Sequence, residues 1–256
     1  MAAYIQGRNV NLVFRPPNRA AVRALHDFDI EVREGEFLSI VGPSGCGKSS
    51  FLNVLLGLIK PESGDLRLRG KPIDGPGSDR AMVFQDFGLL PWRTVQNNIE
   101  LGLELKGVPA EKRHATSQHF IDMVGLTGFE KHYPHELSGG MKQRVGLARA
   151  LATDPDVLLM DEPFAALDAQ TRDVMQVELL RIWQEARKTV LFVTHQIEEA
   201  VYLSDRVIVM TKRPGRTKRI FDIPLSRPRD YEMRVTPEFN DLKFEIWNAL
   251  KDEITV

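Results

Sequence analysis

One short segment restricts the fold of this chain more than any other, because it requires a strand, a tight loop and a helix in succession. Phe37–Val41 is apolar at every position except Ser39, which is typical of a buried strand in a parallel sheet. Gly42–Ser49 follows and matches the P-loop pattern G-x-x-x-x-G-K-[ST], whose backbone N–H groups point at phosphate oxygens. A helix predicted from about Ser49 through Leu58 directs its positive end at the same place. The segment therefore predicts a phosphate-binding loop in an α/β fold.

Three side chains of this loop carry their own chemistry. Lys48 would place a positive charge near the β- and γ-phosphates of a nucleotide, and the Ser49 hydroxyl is a potential ligand for Mg²⁺. Cys46 is the only cysteine, so no disulfide can form within the chain. We interpret Cys46 as a small spacer and not as a nucleophile, because no histidine lies near it in sequence.

Four further apolar runs have the length of buried strands: Ala81–Phe84, Val157–Met160, Val190–Val193 and Val207–Met210. Segments with helical spacing lie between them, and strands that alternate with helices indicate an α/β layer architecture. Residues of about 94–150 contain helical patterns without a convincing strand, so we expect an inserted helical subdomain there. A tail helix is predicted over about 236–252, with Thr236 as its N-cap.

Two of the predicted strands end in side chains suited to catalysis. Asp161 follows an apolar strand and would lie near the Mg²⁺ of the P-loop, while Glu162 would face the γ-phosphate and polarise a water. His195 ends the next apolar run, one strand–helix–strand step later. It is either a structural histidine, the usual case at a strand end, or a group that bonds the γ-phosphate and distinguishes ATP from ADP.

A second glycine-rich helix start lies in the expected helical subdomain. Ser138, Gly139 and Gly140 precede the helical run Val145–Leu151, and their backbone N–H groups with the helix dipole form another anion-binding site. Two phosphate-binding helix starts in one protein are unusual. In this combination the sequence resembles the nucleotide-binding subunit of ABC transporters over nearly its whole length.

The resemblance implies the fold as a whole. It implies a P-loop NTPase with a RecA-like mixed sheet core, the inserted helical subdomain and a small N-terminal antiparallel β part. Residues 1–256 would form one nucleotide-binding domain.

The resemblance also assigns the motifs. It makes Glu162 the catalytic base, His195 the switch histidine and Gln85 the catalytic glutamine of the Q-loop, and it implies that Ser49, Gln85 and Asp161 hold Mg²⁺. The implied ATP-contacting residues are Gly42, Pro43, Ser44, Gly45, Cys46, Gly47, Lys48, Ser49, Ser50, Ser138, Gly139, Gly140 and Asp168.

An aromatic side chain stacks on adenine in this family, and two residues are candidates for it. Phe14 on the first strand is our choice, and Arg15–Arg23 is then an insertion before the P-loop strand. Tyr4 is the alternative.

Finer features resemble the nitrate, sulfonate and taurine importer branch of the family. They are Leu89–Trp92 followed by Val95–Ile99, Met141 as the fifth residue of the family's signature segment Leu137–Met141, and Arg227–Arg229 before the tail helix. The implied function is ATP hydrolysis that energises uptake of a small solute such as nitrate, an aliphatic sulfonate or taurine. The alternatives are another small-solute transporter, or a non-transport ABC protein that acts on nucleic acid.

The resemblance implies partners and a location. Two copies would enclose ATP between them and bind transmembrane permease subunits, and a periplasmic or lipid-anchored solute-binding protein would act indirectly. The chain would be peripheral, on the cytoplasmic face of the bacterial inner membrane. We expect no nucleic-acid partner, because the net charge is −1. The basic cluster Lys212–Arg219 is centred on Pro-Gly and is interpreted as a solvated turn between two strands.

Overall fold

The computed structural model describes residues 3–17 and 19–254, in two compact units. The first unit is Met1–Gly77 with Thr189–Val256, and the second is Ser78–Lys188. The strands are β1 (Ile5–Phe14), β2 (Val22–Val32), β3 (Phe37–Val41), β4 (Ser63–Leu68), β5 (Lys71–Pro72), β6 (Arg80–Val83), β7 (Val157–Asp161), β8 (Thr189–Thr194), β9 (Arg206–Met210) and β10 (Thr217–Asp222). The helices are α1 (Lys48–Leu55), α2 (Val95–Leu105), α3 (Ala110–Met123), α4 (Gly139–Ala152), α5 (Ala169–Ala186), α6 (Ile197–Leu203) and α7 (Pro237–Ile254).

The first unit contains an antiparallel sheet and strands of a mixed sheet, as expected. β2, β1, β4 and β5 lie side by side in one antiparallel sheet. In the other, β3 pairs in parallel with β8 and with β9, and β10 is antiparallel to β9. Every residue of β3, β8 and β9 is buried, which explains why their sequences are mostly apolar and do not alternate with polar residues. Phe28 of β2 packs against Phe51 of α1, with ring centroids 4.7 Å apart, which joins the antiparallel sheet to this helix.

The second unit consists of the parallel pair β6 and β7 with helices α2 to α5. Residues 94–150, all of which the structure describes, hold α2, α3, a short 3₁₀ turn and most of α4, and no strand. Glu100 of α2 is buried, and its carboxylate accepts a hydrogen bond from Ser117 Oγ of α3 (2.9 Å). The same carboxylate lies 2.6 Å from Nδ1 of His114, also on α3. These polar contacts hold α2 against α3.

Some element boundaries differ from the prediction. Helix α1 ends at Leu55 and not at Leu58, because Gly57 adopts φ 79° and terminates the helix, with its N–H bonded to Val54 O. Strand β6 ends before Phe84, whose side chain is exposed.

The tail helix α7 begins as predicted and continues to Ile254. Thr236 Oγ1 accepts a hydrogen bond from the N–H of Phe239 (3.3 Å), which confirms its role as a cap. Among the described helices, none combines the length and apolar character that a membrane crossing requires.

Candidate functional site

The P-loop lies between β3 and α1 of the first unit, and its glycines are required by backbone geometry. Gly45 and Gly47 have φ values of 73° and 116°, a region that other residues rarely adopt. A Cβ on Gly47 would lie 2.8 Å from the carbonyl oxygen of Ala24, and one on Gly42 would lie 2.9 Å from Cys46 Sγ. The loop therefore has room for backbone only at Gly42 and Gly47, as a phosphate cradle needs.

The ammonium group of Lys48 lies at this loop. It is the first residue of α1, it is buried, and its Nζ donates to the carbonyl oxygens of Gly42 (2.9 Å) and Pro43 (3.0 Å). Ser44 and Ser49 are exposed beside it. An ammonium, a helix N-terminus and a loop of left-handed glycines form a donor set that suits a phosphate chain, and the Ser49 hydroxyl suits Mg²⁺.

The turn between β9 and β10 is hydrogen-bonded to β2 and lies close to the P-loop, which the sequence did not predict. Gly215 donates its N–H to Ala24 O (2.8 Å) and accepts from the N–H of His26 (3.0 Å). A Cβ on Gly215 would lie 2.4 Å from Cys46 O. The basic cluster is thus a turn between two strands, as predicted, but its glycine is buried and only the surrounding side chains are solvated.

The two aromatic candidates differ in exposure. Phe14 is the last residue of β1 and is 37% exposed. Tyr4 is only 8% exposed, its hydroxyl accepts from Arg69 Nε (2.8 Å), and the Arg69 guanidinium lies over its ring. Tyr4 is therefore part of the packing of the first unit.

The acidic strand end belongs to the second unit. Asp161 is the last residue of β7, and Glu162 follows with φ 44°, a left-handed conformation that is unusual for a residue with a side chain. The Glu162 carbonyl accepts a hydrogen bond from the N–H of Ala165 (3.1 Å), which closes a tight turn. Such strained backbone clusters at functional sites, where it aims a side chain.

Asp168 has a structural role that the sequence reasoning missed. It is the N-cap of α5, and its Oδ1 accepts a hydrogen bond from the N–H of Thr171 (3.0 Å). Hydrogen bonds with Thr171 hold the pKa of the Asp168 carboxyl below its usual value. An aspartate directly before a helical pattern is an N-cap signal, so the sequence contained this information.

The signature residues lie against the start of α5. Ser138 is the N-cap of α4 and accepts from the N–H of Met141 (3.3 Å). A Cβ on Gly139 would lie 3.2 Å from Leu167 Cδ2, and one on Gly140 would lie 2.9 Å from Thr171 Cγ2. The second unit thus brings the signature and the turn before Asp168 together.

Arg149 fixes the loop that follows Gln85, and sequence reasoning missed it. Gln85 is exposed just beyond β6, and the next turn passes through Phe87 and Gly88 with φ values of 58° and 57°. Arg149 of α4 donates to the carbonyl oxygens of Phe87 (2.9 Å) and Gly88 (2.6 Å). Burial lowers the pKa of the Arg149 guanidinium. An arginine on a helix resembles any solvated residue in sequence, so no local signal marks this contact.

His195 lies in the first unit, exposed, between the end of β8 and the start of α6. The first unit therefore carries Phe14, the P-loop and His195. The second unit carries Gln85, Ser138, Gly139, Gly140, Asp161, Glu162 and Asp168.

Comparison with known proteins places these motifs in a family. The sequence model of the ABC transporter family matches residues 25–165. An uncharacterised ABC transporter ATP-binding protein of Methanocaldococcus jannaschii is 56% identical over 93% of this chain and 88% of its own length. A taurine import ATP-binding protein of Roseobacter denitrificans is 45% identical over 95% of this chain and 92% of its own. A nitrate import ATP-binding protein of Synechococcus elongatus is 45% identical over 99% of this chain but 39% of its own length.

Solved structures agree with the sequences. A dimeric ATP-binding cassette in a post-hydrolysis state, bound to ADP and Pi, superposes with a TM-score of 0.75 at 33% identity, over 87% of this chain and 100% of that one. The protein cbiO1 from Clostridium perfringens, part of an ABC transporter complex, superposes with a TM-score of 0.77 at 25% identity, over 87% and 90% of the two chains. The chain belongs to the ABC transporter family, as an ATP-binding subunit that hydrolyses ATP to drive transport.

Proposed function

We propose that this subunit energises the import of a small solute such as taurine, an aliphatic sulfonate or nitrate. The observation that carries the proposal is similarity to two kinds of importer subunit. Proteins named for taurine import and for nitrate import are both 45% identical over at least 95% of this chain.

In this proposal, each of the candidate site residues has its own role in ATP hydrolysis. The P-loop amides and Lys48 bind the phosphates, and Ser49, Gln85 and Asp161 would hold Mg²⁺, which would supply positive charge beside the phosphates. Glu162 polarises the attacking water, and His195 contacts the γ-phosphate. The two units act together in this proposal as one nucleotide-binding domain of residues 1–256.

The working form in this proposal is a pair of subunits. Each ATP would contact the P-loop of one copy and Ser138–Gly140 of the other, head to tail, with Asp168 beside it. The solved cassette that is 33% identical is a dimer, which supports pairing. In this chain Ser138 is exposed at the start of α4, where a second copy has access.

The membrane partner would bind near Trp92. This side chain is 71% exposed, yet its loop is fixed. The buried Asn98 donates to the carbonyl oxygens of Leu90, Arg93 and Thr94 and accepts from the N–H of Leu90. An exposed tryptophan on a loop whose backbone is held by hydrogen bonds is typical of an interface anchor. We therefore propose this loop as the contact with the permease, on the cytoplasmic face of the bacterial inner membrane. A periplasmic or lipid-anchored solute-binding protein would complete the importer.

We expect Phe14→Ala to weaken ATP binding about tenfold, because base–aromatic stacking contributes roughly 1–3 kcal/mol. Phe14→Tyr should restore affinity. Tyr4→Leu removes the other candidate ring and should leave ATP affinity unchanged, because Tyr4 is buried and its hydroxyl bonds Arg69 within the unit. Isothermal titration with ATP in the absence of hydrolysis measures all three. Weaker binding in Tyr4→Leu together with normal binding in Phe14→Ala would reverse the assignment.

The solute is tested by uptake in a strain that lacks this gene. Uptake of labelled taurine, an aliphatic sulfonate and nitrate is compared after complementation with the wild type and with Lys48→Ala. We expect uptake of one of the three to be lost on deletion and restored by the wild type alone. Unchanged uptake of all three, with loss of another small solute, would indicate a different transporter. Unchanged uptake of every solute, with ATPase activity stimulated by nucleic acid, would indicate the non-transport alternative.

A further inference from the structure

The buried hydroxyl of Thr194 makes two hydrogen bonds next to His195, the residue that we assign to γ-phosphate contact. Thr194 is the last residue of β8 and is buried. Its Oγ1 donates to Oε2 of Glu199 at 2.6 Å and accepts from the N–H of Gln196 at 3.0 Å. One hydroxyl can make both bonds, since it has a single donor and two acceptor lone pairs. The three groups form a directed chain, from the Gln196 N–H through Thr194 to the Glu199 carboxylate.

The carboxylate of Glu199 suits this position. It is buried in the first turn of α6, where the positive end of the helix dipole favours a negative charge. A hydrogen bond from a hydroxyl to a carboxylate is shorter and stronger than one between neutral groups. The neighbouring Glu198 has a different environment, because it pairs with Lys243 (3.0 Å) and Arg234 (3.8 Å).

These hydrogen bonds involve the residues immediately before and after His195. Its preceding residue is anchored through Oγ1, and its following residue is anchored through the backbone N–H. His195 itself is exposed. The backbone from which its imidazole projects is therefore held on both sides by the hydrogen bonds of Thr194.

We propose that Thr194 and Glu199 are positioning residues for His195, and that they hold its imidazole in the orientation that hydrolysis requires. The inference rests on the proposed role of His195 at the γ-phosphate. A displacement of about 1 Å in a catalytic group can lower a rate by roughly a hundredfold, so two buried hydrogen bonds have a measurable effect on turnover.

The variants are chosen to separate positioning from folding. Thr194→Val has nearly the same shape and removes both hydrogen bonds, and we expect it to lower kcat about tenfold or more with little change in KM for ATP. Thr194→Ser restores the hydroxyl and should recover most of the turnover. Glu198→Gln is the matched control, because the Glu198 carboxylate is adjacent to Glu199 in sequence but takes no part in the hydrogen bonds from Gln196 through Thr194 to Glu199. It should leave turnover unchanged.

The decisive test is a double-mutant cycle with His195→Ala in the full-length protein. Single-turnover hydrolysis of radiolabelled ATP measures the low residual rates. If Thr194 acts through His195, Thr194→Val should produce no further loss in the His195→Ala background. Equal losses in both backgrounds would overturn the positioning role and leave His195 in place. A wild-type rate in His195→Ala alone would instead overturn the proposed role of His195, and the inference with it. If Thr194→Val does not fold, Glu199→Gln replaces it in the same cycle.

Discussion

Glu162→Gln should bind ATP as tightly as the wild type and lose nearly all steady-state turnover, by about 10²–10⁴-fold. The carboxylate is proposed to act on the attacking water and not on the nucleotide, so its loss affects the rate and not affinity. Glutamine keeps the size of the side chain and tolerates the backbone of Glu162 (φ 44°) about as well as glutamate does. Nucleotide titration and phosphate release measure the two quantities separately.

A second readout accompanies this variant. Because hydrolysis reopens the proposed dimer, Glu162→Gln should accumulate ATP-dependent dimers in size-exclusion chromatography. Glu185→Gln is the matched control: this carboxylate is exposed on α5 and pairs only at the surface with Arg181 among the ion pairs described. It should show normal turnover and no accumulation of dimers. Steady-state ATPase at the wild-type rate in Glu162→Gln would remove Glu162 from its role.

Two inactive variants should restore ATPase activity when they are combined in one transporter. Lys48→Ala removes a charge from the phosphate cradle. Gly139→Asp puts a negative charge where signature N–H groups would meet the γ-phosphate of the partner copy. Gly139 suits this change, because an added Cβ lies 3.2 Å from a Leu167 methyl group that can move. Gly140 is unsuitable, because its Cβ would lie 2.9 Å from Thr171 Cγ2 and the helix start would be disturbed.

The arrangement of the two defects makes the test specific. In a mixed dimer of Lys48→Ala with Gly139→Asp, one site has both defects and the other pairs an intact P-loop with an intact signature. When both changes are in one subunit and its partner is wild type, each site has one defect. If one intact site supports turnover, assembled transporters of the first kind should hydrolyse ATP and those of the second should not. Greater activity in the second pairing would show that the sites are not shared between subunits.

The elements that the sequence predicted correctly are those with a local physical cause. Strand β3 is a short run of mostly apolar residues because a central parallel strand is buried on both faces. The P-loop glycines are required by backbone conformation, so their pattern is visible without the fold. The N-cap at Thr236 depends on a residue three positions away. Each of these follows from short-range chemistry, and each was found in the sequence.

The features that only the tertiary structure decided depend on residues far apart in the chain. Phe14 and Tyr4 are both aromatic, and only the structure shows that Tyr4 is buried with its hydroxyl bonded to Arg69. Arg149 bonds carbonyls of the loop after Gln85, about sixty positions earlier in sequence. The burial of Gly215 requires the backbone around Ala24 and Cys46. Hydrogen bonds and contacts of this kind form between any chemically suitable partners, and only the fold determines which of them meet.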